Sequence, residues 1–145
     1  MTTDERIAKQ LTKTLENGKV GFEQAAERLG DERPDVAARF LQFSQERATM
    51  SNELAQIAAA YGDDVDQRST VPGALHRGWM AVKDALTSSD AQAVINAAES
   101  GEDHAVEEYR DALNEADISA EFRAIVARQA TSVQAAHDYV SSLSS

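Results

Sequence analysis

The chain has 145 residues, abundant alanine and a formal net charge of −11, a length that fits one domain, 1–145, able to bury a core. The acidic balance argues against a nucleic-acid surface and against docking on anionic membranes, because no basic patch can neutralise phosphates. The absence of cysteine excludes disulfides, thiol catalysis and Cys-ligated metals.

The first helix is expected from about Asp4 to Leu29. Ile7, Leu11, Leu15, Phe22, Ala25, Ala26 and Leu29 recur at helical spacing, and Thr2 or Thr3 can cap it. Gly18 and Gly21 lie inside, each costing about 1 kcal/mol, so a kink or break is expected there. Gly30 to Arg33 make the turn. The second helix starts at Pro34, which suits a first helical turn, and runs to about Tyr61 with Val36, Phe40, Phe43, Met50, Leu54, Ile57 and Tyr61 as its stripe. Gly62 ends it.

Asp63 to Val71 are polar and aperiodic. Pro72-Gly73 then open a short helix carrying Leu75, Trp79, Val82 and Leu86, which Thr87 to Asp90 interrupt. Ser89 with Gln92 fits a capping box for the next helix, about Ala91 to Ala116, whose stripe includes Val94, Ala98, Ala105, Tyr109, Ala112 and Leu113. The last helix begins near Ser119 and reaches about Leu143, with Phe122, Ile125, Val126, Val133, Ala136, Val140 and Leu143 inward.

Two of these connections are short and define antiparallel hairpins. The middle one spans about 27 residues, enough to travel the length of a bundle at ~1.5 Å per helical residue. The fold class is therefore all-α, a ferritin-like four-helix bundle with a long crossover containing a short extra helix. A plain up-down bundle with a decorated loop is the alternative. The start of the chain lacks a secretory apolar segment, and no run approaches the ~20 apolar residues of a membrane span, so the expected compartment is the cytoplasm.

Three polar residues interrupt the apolar stripes near helix midpoints: Arg47, Glu102 and Gln129. A polar side chain in a core costs several kcal/mol unless it finds a partner. They predict a buried polar layer in which Arg47 pairs with Glu102 and Gln129 completes the hydrogen bonds, with Gly18 facing them and leaving room. In the competing reading Arg47 snorkels to the bundle edge.

Other chemistry is thinly represented. Di-iron bundles use Glu-x-x-His pairs, and none is present; Gln134-x-x-His137 is a degraded version. Glu46, Glu53, Glu99, Glu102 and His137 form a candidate ligand set for iron, manganese or zinc, although Arg47 in their midst would repel a cation. His104 points away from its stripe. His76, Trp79 and Tyr109 are candidates for a small-molecule pocket under the short helix, though core packing explains the two aromatics as well. Gly18-Lys19-Val20-Gly21 lacks the context of a phosphate loop.

Gly21-Phe22, Ala25-Ala26-Glu27, Gly73-Ala74-Leu75-His76-Arg77-Gly78-Trp79, Glu99-Ser100-Gly101-Glu102-Asp103, Tyr109-Arg110-Asp111-Ala112-Leu113, and Gln129 with His137-Asp138 together resemble a bacterial ferritin-like four-helix-bundle family catalogued only as a domain of unknown function. The resemblance runs from about Ile7 to Leu143. Ala98 stands where that family commonly has a cysteine. The resemblance implies the fold and no activity. The expected function is a non-catalytic bundle acting through its surface or assembly, in stress physiology for example, with no cofactor. Metal or oxygen handling and small-molecule binding are the alternatives. A homodimer suits such bundles, though no apolar stripe outside the core demands one.

Overall fold

A computed structural model describes residues 2–60, 77–88 and 90–144. Among them the secondary structure is helical, without strands: α1 (Thr3–Leu29), α2 (Pro34–Ala60), α3 (Arg77–Ala85), α4 (Ala91–Leu113) and α5 (Ala120–Leu143). No helix of these residues is long and apolar enough to cross a membrane.

Local chemistry sets most of the helix ends. The Thr2 hydroxyl accepts from the Glu5 N–H at 3.1 Å, and Asp4 and Glu5 complement the positive end of α1. The Ser119 hydroxyl accepts from the Phe122 N–H at 3.2 Å and starts α5. Asp90 caps α4: its carboxylate accepts from the Gln92 N–H at 3.0 Å, and a carboxylate at a helix start also gains from the dipole. Helix α4 stops at Leu113, short of the expected Ala116, where the Asn114 N–H folds back onto the Arg110 carbonyl at 3.1 Å. Tyr61, Gly62, Pro72, Gly73, Leu75, His76 and the expected cap Ser89 lie outside the described residues.

Helix α1 runs unbroken through Gly18 and Gly21. Both glycines carry side chains from other helices pressed against their bare Cα, and that packing offsets their low helix propensity.

Side-chain pairings give the directions. Phe22 meets Phe40 at 5.0 Å between ring centroids, and the Ser44 hydroxyl donates to the Lys19 carbonyl at 2.9 Å, so α1 and α2 are antiparallel. Tyr109 meets Gln129 while Gln92 reaches the Leu143 carbonyl, so α4 and α5 are antiparallel. Arg6 bonds Glu115 at 3.0 Å, and Gly21 and Gly101 share Trp79, which sets α1 against α4 in opposite senses. Gln129 reaches Glu53 while Tyr139 meets Phe43 edge-on, which does the same for α2 and α5. Helices α2 and α4 therefore run in the same direction.

The core divides into two apolar clusters. One is built around Phe22, Phe40, Phe43, Trp79, Val94 and Ile95. The other holds Leu11, Leu15, Leu54, Tyr109, Phe122 and Val126. Each fully buried large side chain contributes roughly 1.5–3 kcal/mol. On α1 the division falls at Gly18, on α2 at Arg47 and on α4 at Glu102.

Candidate functional site

Arg47 and Glu102 meet at that division. Their side chains are 1% and 0% exposed, and the Arg47 Nη2 donates to Glu102 Oε2 at 2.6 Å. The guanidinium carbon stands 5.2 Å from the centroid of the Phe22 ring, a cation–π distance. Gly18 supplies the remaining space: a Cβ there would lie 2.6 Å from Arg47 Nη1. The pair is held by one hydrogen bond rather than a two-pronged fork, and Arg47 Nη1 and Glu102 Oε1 have no hydrogen-bond partner among the described residues. Burial pushes the Glu102 carboxyl above its ordinary range, and the Arg47 charge and hydrogen bond pull against that.

Gln129 is buried but does not join this pair, correcting the expected three-residue network. Its Oε1 accepts from the Tyr109 hydroxyl at 2.8 Å, and its Nε2 donates to the Met50 carbonyl at 3.3 Å and to Glu53 Oε1 at 2.7 Å. Val126 and Val133, on either side of it along α5, both belong to the cluster of Leu11 and Leu54. Gln129 therefore lies inside that half of the core and not at the division. Burial raises the Tyr109 hydroxyl beyond the usual phenol range, Arg47 opposes the rise and Glu53 adds to it. Glu53 also pairs with Arg128.

The five candidate metal residues are not brought together. Glu46 accepts from Ser132 at 3.0 Å, Glu53 is engaged by Gln129 and Arg128, Glu99 accepts from Ser144 at 2.8 Å, and Glu102 holds Arg47. His137 lies 2.6 Å from Asp103 through Nε2 and 3.4 Å from Asp138 through Nδ1. Among the described residues no group of three or more His, Cys, Asp or Glu side chains is placed to hold a metal ion. Partial burial alone would lower the His137 pKa, but the bonds to Asp103 and Asp138 outweigh it and the net direction is up.

The expected pocket is also divided. His76 lies outside the described residues. Trp79 sits in one core cluster and Tyr109 in the other, both buried. A cleft of about 440 Å³ does exist elsewhere, along α2 and α5, with Gln45, Glu46, Thr49, Arg128 and Ser132 in its lining.

Sequence reasoning missed the function of two glycines. Gly21 and Gly101 form a slot for the Trp79 ring: a Cβ on either would lie 2.2 and 2.3 Å from ring atoms. The signal was present, since both glycines fall on inward helix faces, but nothing local names the side chain that fills the gap.

A family model covers α1 through the end of α4, residues 6–115. The chain belongs to the family described as a domain of unknown function, DUF2383. The DUF2383 match contains Gly18, Gly21, Arg47, Trp79, Gly101 and Glu102, so the ion pair and the Trp slot both lie inside it. It stops before α5, short of the expected extent to Leu143, and leaves Gln129 and His137 outside. No curated protein matches the chain.

Proposed function

We propose that this DUF2383 protein is a ferritin-like four-helix bundle, a single unit over 1–145, that works without a cofactor through its surface or through assembly. Two antiparallel pairs, with α2 and α4 running in one direction, support the ferritin-like arrangement. One observation carries the non-catalytic reading: a guanidinium is buried at the centre, paired with Glu102 and flush against Gly18. Arginine does not lose its proton, so a fixed positive charge stands where a bundle of this type would otherwise hold a cation. The candidate ligands around it are each committed to other partners.

The test is metal content. Protein purified without a histidine tag, then incubated with iron(II), manganese(II) or zinc(II) and desalted, is expected to retain none in stoichiometric amount. Stoichiometric metal that is lost on replacing Glu102 or His137 would overturn the reading in favour of a metal-handling bundle.

A further inference from the structure

The outward sides of the four long helices differ in charge. Exposed positions on α1 include Arg6, Lys13, Glu23 and Glu27, and those on α4 include Asp103, Glu107, Arg110 and Asp111. Helices α2 and α5 present another kind of surface. Ala38, Gln42, Gln45, Thr49, Asn52 and Gln56 recur along α2 at alternating steps of four and three residues, and all are exposed. Ala124, Thr131, Ala135 and Ser142, also exposed, lie along α5 in the same way. Such steps keep a row of side chains on one side of a helix over its whole length.

The charged residues near these two rows are few and already engaged. Glu53 pairs with Arg128, Glu46 accepts from Ser132 at 3.0 Å, and Asp138 is held by Gln134 at 2.9 Å and by His137. The rows flank the cleft between α2 and α5, whose walls include Gln42, Gln45, Thr49 and Ser132. Leu41, 46% exposed, stands beside them on α2. At ~1.5 Å per residue and ~10 Å of width per helix, two such helices offer a surface of roughly 40 by 20 Å. That is about the 800 Å² which one partner contributes to an interface of standard size.

We propose that this surface of α2 and α5 is where a second copy of the chain docks. The Ser132 bond to Glu46 and the Gln129 bond to the Met50 carbonyl set Thr131 opposite the stretch between Gln45 and Thr49, and the two-fold axis passes there. Charge decides the occupant. A chain of net charge −11 repels its own copy, and the approach that brings fewest like charges together is through this surface. Amides and hydroxyls both donate and accept, so rows of Gln, Asn and Thr satisfy one another when a surface meets itself across a two-fold axis. The inference rests on the cofactor-free reading above and gives its assembly a location.

The experiment is sedimentation velocity on the full chain at micromolar concentrations, in low and in moderate salt. The expected result is a species of twice the chain mass, with association several-fold tighter in moderate salt, where the net charge is screened beyond about 8–10 Å. Gln45→Glu combined with Thr131→Glu puts like charges at the centre of the surface on both copies. Its helix signal by circular dichroism is expected to match the parent, while association weakens roughly tenfold or more. Ser100→Glu combined with Ala116→Glu adds the same charge away from the surface and is expected to leave the dimer in place. A monomer in every condition, a dimer that salt dissociates, or equal association in the two variants would overturn the proposal. The metal assay keeps the two readings apart. A metal-free monomer contradicts the dimer alone, and a metal-loaded dimer contradicts the cofactor-free reading alone.

Discussion

Arg47 is tolerable inside this protein because three neighbours each solve one of its problems. Glu102 answers its charge, Phe22 offers a π face, and Gly18 offers room. The glycine gives a test in which two effects predict opposite signs. On helix propensity alone, Gly18→Ala should stabilise α1 by about 1 kcal/mol. With a Cβ 2.6 Å from Nη1, overpacking at a fixed ion pair should instead destabilise the protein by about 1–3 kcal/mol, measured by denaturant unfolding. A more stable variant would show that the guanidinium gives way freely. At the α4–α5 edge, His137 makes a pH-dependent contribution. Its pKa is raised above the ordinary 6.5 in the folded protein, so its bonds to Asp103 and Asp138 stabilise fully below 6.5 and cease to do so as pH rises through the folded value. His137→Gln should therefore be less stable than the parent in mildly acidic buffer, with the difference shrinking well above neutrality. A gap that widens with pH would reverse that assignment.

At the scale of the helices, the long apolar stripes were legible over the described residues, because period and caps are local signals. Ser119 was readable as a cap, and its hydroxyl holds the Phe122 N–H. Ser119→Ala should cost about 1 kcal/mol of unfolding free energy, and a neutral result would mean the first turn of α5 is held by packing alone. Asp90, which caps α4, was not singled out in the sequence, although an aspartate at a helix start gains from the dipole as well as from the hydrogen bond. The glycines in α1 were legible as weaknesses but not as contacts. Whether Gly18 and Gly21 break a helix depends on Arg47 and Trp79, which reach them from distant parts of the chain. Gln129 failed for a related reason. Its inward face was visible in the sequence, but its height relative to Glu102 depends on where α4 ends, and that end lies at Leu113.

For the whole molecule, the sequence pointed to an interruption of the core, and the folded chain shows two apolar clusters meeting where Arg47 faces Glu102. Desolvating both groups is expensive, so such a pair contributes less to stability than to the uniqueness of the packing, and loss of one partner leaves the other stranded. The direct test is a double-mutant cycle of unfolding free energies with Arg47→Met, Glu102→Leu and the two combined. Each single change is expected to cost about 3–5 kcal/mol and the double change much less than their sum, because it removes both buried charges together. Strictly additive costs would contradict a central ion pair and return the middle of the molecule to the search for a site.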